Sequence, residues 1–227
     1  VSTPIVKIDN MNNGVCPYGT PYDSSISDAM PSSYLGNGSF GPPAGSSGIV
    51  CPEADQMHFS NYHWSSNYSE GSGVLFFKEA TLEARLKFQD ETLGYFGWGS
   101  STSGNGSQNF SNSSLFIEFT TQGANIPVLT AGNTNVSFQS DPGHRDFHTY
   151  KIIRSSSLIE AYVDGARVAV IEIVEGTPNR SSCESDYVNT PCGQTRSSEL
   201  DKGKFAIGSD SRTYIDWVKY TFNTIWP

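Results

Sequence analysis

No run of apolar residues in this chain approaches the ~20 needed to cross a bilayer as a helix. The N-terminal stretch VSTPIVKIDN lacks the charged-then-apolar pattern of a secretory leader. The chain is therefore expected to have no membrane span and to be already processed. Charge is sparse at 16% of residues, and basic residues are the scarcer kind: 14 Lys and Arg against 23 Asp and Glu give a formal net charge of −9. That balance disfavours nucleic-acid phosphates and anionic membranes as partners and suits a neutral ligand better. The four cysteines, Cys16, Cys51, Cys183 and Cys192, show none of the CxxC spacing of zinc or thioredoxin-like sites. A Gly-x-Ser-x-Gly elbow is missing, as are phosphate-cradling glycine loops, which argues against serine-hydrolase and nucleotide chemistry. No helical stripe of useful length appears.

What the chain does have is a core-forming fraction, 36% hydrophobic and 12% aromatic, interrupted by 22 Gly and 12 Pro. A length of 227 residues suits one domain over 1–227, with a long N-terminal loop region at about 9–75. The cysteines are expected to form disulfides, Cys16 with Cys51 and Cys183 with Cys192 by proximity along the chain, the other two connectivities staying open. N-x-S/T sequons begin at Asn37, Asn67, Asn105, Asn109, Asn112, Asn135 and Asn179. Sequons together with oxidised cysteines place the protein outside the cell, as a glycoprotein.

After a short apolar strand IVKI at Ile5 to Ile8, strand patterns resume at Thr81, where Leu82, Ala84, Leu86 and Phe88 alternate with Glu83, Arg85 and Lys87. LGYFGWGS reads as a glycine-interrupted aromatic strand, and Leu115 to Thr121 alternates again with Glu118 at its centre. FHTYKIIR, LIEAYV and RVAVIEIV follow, the last two joined by Asp164-Gly165, a tight-hairpin signal. A loop from Glu175 to Gly203 precedes KFAIGS and the final strand TYIDWVKYTF. Short strands divided by turns predict an all-β fold, an antiparallel β-sandwich or jelly roll.

The succession ATLEARLKF, FHTYKIIRSSSLIEAYVDG and YIDWVKYTF, over Phe76 to Phe222, resembles the laminin-G-like and concanavalin A-like jelly rolls. In particular it is similar to the laminarinase and lichenase group, glycoside hydrolase family sixteen. The resemblance implies a cleft-facing strand written Glu-x-Asp-x-Glu, whose alternation aligns nucleophile, orienting group and acid/base. Here that strand is EFTTQ, with Thr120 in the place of the Asp and Gln122 in the place of the acid/base. A glutamine cannot deliver a proton, so the family reaction is not expected from this strand alone. The resemblance also implies a structural Ca²⁺, with Asp216 as ligand and Asp9 nearby.

Catalytic candidates are Glu118, Gln122 and His148, with His58, His63, Tyr62, Tyr95 and Arg85 as parts of an elimination mechanism acting on a uronate. Ligand-binding candidates are Trp64, Tyr62 and Trp98, which offer aromatic faces to pyranose rings, and Arg85. The leading expectation is a secreted, lectin-like protein that binds an extracellular polysaccharide. A polysaccharide hydrolase or lyase is the first alternative, and would need Glu118, Gln122, a His and a Tyr to converge. A structural adhesin or fibre subunit, self-associating through sheet edges, is the second.

Overall fold

The computed structural model describes residues 5–9, 40–41, 49–53, 56–60, 63–66, 79–88, 94–99, 115–119, 126–139, 146–200, 204–209 and 212–222. Its strands, in chain order, are β1 (Ile5–Asp9), β2 (Phe40–Gly41), β3 (Ile49–Glu53), β4 (Gln56–Ser60), β5 (His63–Ser66), β6 (Ala80–Phe88), β7 (Gly94–Gly99) and β8 (Leu115–Phe119). They continue with β9 (Val128–Ala131), β10 (Thr134–Ser137), β11 (His148–Arg154), β12 (Leu158–Val163), β13 (Ala166–Val174), β14 (Cys192–Arg196), β15 (Lys204–Ser209) and β16 (Arg212–Phe222). A large nine-stranded sheet runs β14-β13-β12-β11-β6-β16-β4-β3, with β1 also paired to β16, and a small seven-stranded sheet runs β10-β9-β8-β7-β15-β5-β2. The expected antiparallel β-sandwich is present.

Alternation explains why these segments form strands and where the core lies. Leu82, Ala84 and Leu86 of β6, Tyr150 and Ile152 of β11, and Ile159 and Ala161 of β12 are buried on one face of the large sheet. Phe96, Ile117, Leu129 and Val136 are buried on the facing side of the small sheet. The two layers meet where the rings of Phe96 and Tyr150 pack with centroids 6.3 Å apart. Each large apolar side chain so buried contributes about 1.5–3 kcal/mol. At the β12–β13 hairpin, Asp164 and Gly165 take φ of 48° and 82°, the left-handed pair that a type I′ turn requires.

Two regions differ from the sequence reading. The stretch expected as an N-terminal loop region contains β2 to β5, of which β4 and β5 pair with β16 and β15 far along the chain and carry β3 and β2 at their other edges. These strands are short and lack alternation, so nothing local announces them. The expected loop from Glu175 to Gly203 contains β14, which pairs with β13 in parallel, and a 3-10 turn at Ser197–Glu199. A parallel pair needs a long crossover, and residues 175–191 supply it.

Candidate functional site

On the small sheet, Leu115 and Ile117 are buried. Pleating therefore places position 118 on the outward face. Register then aligns one row across this sheet: His63, Gly208, Tyr95, Glu118, Val128 and Ser137. The next row holds Gly41, Ser65, Ala206, Gly97, Phe116 and Thr130. Glycine, alanine and serine dominate the β2, β5, β15 and β7 half of these two rows, which leaves little side-chain bulk above the backbone beside Tyr95 and Glu118. Among the sequence candidates, backbone register thus brings together Glu118, Tyr95 and His63. Gln122 and Tyr62 lie outside the described residues.

Trp64 and Trp98 fall elsewhere. Position 64 is in register with Ile207 and through it with Phe96, and position 98 is opposite Leu115. Phe96 and Leu115 are buried, so both tryptophan positions belong to core-side rows rather than to the Glu118 row. A run that mixes Gly with aromatics hides which phase faces inward.

His148 does not join Glu118. It lies on β11 in register with the buried Leu86 and is itself 7% exposed, within the layer between the sheets. Glu118 is on the outward face of the small sheet, so a sheet's thickness separates these two catalytic candidates, and the histidine that shares the Glu118 row is His63. His148 Nδ1 instead meets Asp164 Oδ2 at 2.6 Å. Asp164 Oδ1 accepts from the Thr149 amide at 2.8 Å. Partial burial works against the Asp164 charge, but the Thr149 amide and His148 outweigh it and hold the carboxyl below its ordinary value. The pair ties the β12–β13 turn to the start of β11. His58 is on the large sheet too, opposite Tyr214.

Arg85 and Asp216 form an ion pair with each other. Asp216 occupies a β-bulge, since Ile215 pairs with Leu86 and Trp217 with Arg85, leaving position 216 unmatched. Both residues lie on the large sheet, so Arg85 is not gathered with the Glu118 row. As a calcium ligand Asp216 fits poorly in this arrangement, because the guanidinium already neutralises it. No group of three or more His, Cys, Asp or Glu suited to a metal occurs among the described residues. Asp9 is opposite Val218 in register.

The densest described polar network was not anticipated. Glu172 on β13 is 8% exposed. It accepts from the Glu184 amide at 2.8 Å, the Ser185 amide at 3.1 Å, the Tyr187 hydroxyl at 3.0 Å and Gln194 Nε2 at 3.0 Å. Burial pushes the carboxyl up, but these four donors prevail and bring it to about 2. Beside it Cys183 and Cys192 are thiols in mutual contact with no bond between them, where a disulfide was expected. Burial, with Cys192 alongside, pushes the Cys183 thiol up. Cys51 is on β3, and Cys16 is outside the described residues. Next to this hub, Arg180 forks onto Glu199 with two 2.9 Å bonds and reaches Thr134 Oγ1 at 2.8 Å. That clamp fastens the crossover to β10 of the other sheet. The only local sign of Glu172 was a Glu amid the apolar residues of RVAVIEIV, which alternation alone does not make functional.

No known family model and no curated protein matches the chain by sequence. Solved structures do match in shape. The κ-carrageenase of Pseudoalteromonas carrageenovora, in complex with an oligotetrasaccharide of κ-carrageenan, superimposes with a TM-score of 0.52 at 12% identity, covering 98% of this chain and 96% of that one. A non-specific endo-β-1,3(4)-glucanase of glycoside hydrolase family 16 gives 0.52 at 11% identity, over 97% and 91%. This chain has the jelly-roll fold of those hydrolases. The Crh5 transglycosylase, without ligand, gives 0.51 at 10% identity, over 97% and 85%. At such identities the jelly roll is what the likeness establishes, and the chemistry has to be argued from this chain's residues.

Proposed function

We propose that this jelly roll binds an extracellular polysaccharide along the outward face of the small sheet. The observation that carries this reading is the Glu118 row: a carboxylate beside Tyr95, flanked by positions occupied by Gly208, Gly97, Ala206 and Ser65. Small residues let a sugar chain approach the sheet, an aromatic side chain suits the C–H faces of pyranoses, and a carboxylate accepts from their hydroxyls. Glycan-acting proteins of the same fold support the class of ligand. Extracellular placement, glycans on the exposed Asn135 and Asn179 and a Cys183–Cys192 disulfide belong to the same proposal.

A second reading, polysaccharide cleavage, is favoured by His63 sharing the row with Tyr95 and Glu118. Elimination needs a base such as His or Tyr, whereas hydrolysis needs a second carboxyl that the described part of β8 lacks. One experiment separates the readings. The protein is incubated with neutral and uronate polysaccharides while new reducing ends and ultraviolet absorbance of unsaturated products are followed, and retention on each immobilised polysaccharide is measured in parallel. Retention without products, lost in Glu118→Gln, is the expected result. Products that vanish in His63→Ala would install the cleavage reading, and silence in both assays would overturn glycan recognition altogether.

A further inference from the structure

The outward face of the large sheet carries a braced cationic surface that the Glu118 row does not use. Since Leu82, Ala84 and Leu86 are buried, Thr81, Glu83, Arg85 and Lys87 lie on the opposite, half-exposed side of β6. Register aligns Arg167, Tyr162, Lys151, Glu83 and Lys219 as one row across five adjacent strands. At ~4.8 Å per strand the row spans about 19 Å, with cations about 10 Å apart at every second place. The neighbouring row holds Thr149, Arg85 and Trp217.

Aromatic rings hold the cations in place. Lys151 Nζ lies 4.7 Å from the Tyr162 ring centroid, Arg85 Cζ and Lys87 Nζ lie 4.7 and 4.8 Å from that of Phe147, and Arg167 Cζ lies 5.4 Å from that of Tyr187. Among the described residues four acids share or border the face, one of them Asp164, which accepts from the Thr149 amide and whose charge Arg85 helps to hold. Asp216 is bound to Arg85, Glu160 accepts from Arg167 at 3.2 Å and from the Tyr162 hydroxyl at 3.1 Å, and Glu83 stands between Lys151 and Lys219 in the row. Among the described residues, five cations (Arg85, Lys87, Lys151, Arg167 and Lys219) stand against four anions open to solvent (Glu83, Glu160, Asp164 and Asp216), Glu172 on the same side being covered by the crossover, which leaves one positive charge in excess although the chain as a whole carries −9. A long side chain already braced by a ring loses less freedom when it grips an anion.

We propose that this face binds an anionic polysaccharide, one bearing sulfate or carboxylate groups at regular intervals along a linear chain. The reasons are the linear arrangement of the cations, their regular spacing, and the half-exposed Tyr162 and Trp217 that present apolar surface to sugar rings between them. A linear chain whose sugar rings meet these aromatic faces is distinguished from a duplex by that apolar contact, which a duplex's outward phosphates do not offer. The surface is on the opposite sheet from the Glu118 row and stands whether that row binds, cuts or ignores glycans.

The test uses the full chain, with dextran sulfate and alginate as anionic probes, laminarin as a neutral one and a DNA duplex as a competing polyanion, in affinity electrophoresis and calorimetry. Binding to both anionic probes is expected, weakening with salt and falling about tenfold in Lys87→Gln/Lys151→Gln, about 1.4 kcal/mol. Glu83→Gln should bind them more tightly, and laminarin retention should be the same in all variants. Thermal midpoints matching the parent's would show that folding is intact. No binding to either anionic probe, binding unchanged in the double variant, or equal affinity for the duplex would each overturn the proposal. Self-association of the parent chain that disappears in the double variant would replace it with a contact between copies.

Discussion

Glu118 and Glu172 are both carboxylates in the middle of alternating strands, one on each sheet, and they differ in how their surroundings are assembled. Glu118 sits in a row whose neighbours come from β7, β15 and β5, with glycine and other small residues around Tyr95. Glu172 is enclosed by a crossover that folds back and gives it four donors. A carboxylate saturated by its own protein has little left to offer a ligand, so Glu172 is a structural keystone. Glu118 is on an outward face beside Tyr95, and ligand recognition is proposed there.

The contrast is broken most severely at Glu172. Glu172→Ala leaves two amides, a tyrosine hydroxyl and a glutamine amide without their acceptor, and is expected to cost about 3–4 kcal/mol in urea unfolding. Acid gives a second handle. The folded-state pKa of about 2 is below the ordinary 4.5, so the group's contribution, about 3 kcal/mol, is fully present above the unfolded value. It is lost as pH falls from about 4.5 through about 2. The stability gap between the parent and Glu172→Gln should therefore narrow across that window. A gap that stays constant down to pH 2 would show that the carboxylate is not held charged by these donors.

A smaller loss is expected from Gly193→Ala at the start of β14. A Cβ there would stand 2.4 Å from the Arg180 carbonyl oxygen, a backbone atom that cannot swing aside, so the crossover must lift from β14 at a cost of about 2 kcal/mol. Differential scanning calorimetry should show a lowered midpoint. Faster proteolytic nicking within 175–191 should accompany it.

These two sites show what was legible beforehand. Regular alternation disclosed β6, β8, β11, β12 and β13, and Asp164-Gly165 disclosed the hairpin, because period-two patterning and turn chemistry are local. Glu172 was unreadable because its donors at Glu184, Ser185, Tyr187 and Gln194 come from a segment without periodicity. β2 to β5 were unreadable because they are short, lack alternation, and join the sheets through β16 and β15 far along the chain. His148 stood as a catalytic candidate because a histidine on a strand looks the same whether its partner is a substrate or Asp164.

At Glu118 the expected pattern reverses. Glu118→Gln keeps size and one acceptor, so stability should move by less than about 0.5 kcal/mol, while retention on the recognised polysaccharide falls about tenfold. A loss of stability like that at Glu172 would assign Glu118 to the scaffold and erase the distinction between the two carboxylates.

The smallest change concerns the thiols beside Glu172. Because the four donors already hold the crossover, Cys183→Ser should shift the thermal midpoint only slightly under reducing conditions. If the protein works outside the cell, Cys183 and Cys192 should be joined after exposure to oxidised glutathione, seen as a loss of two titratable thiols. The oxidised form should then gain stability over Cys183→Ser. The 175–191 crossover would thus be fastened twice, by hydrogen bonds to a buried carboxylate and by a covalent link next to it. Thiols that stay titratable under that treatment would leave Glu172 and the Arg180–Glu199 pair as the fastenings at this end of the molecule.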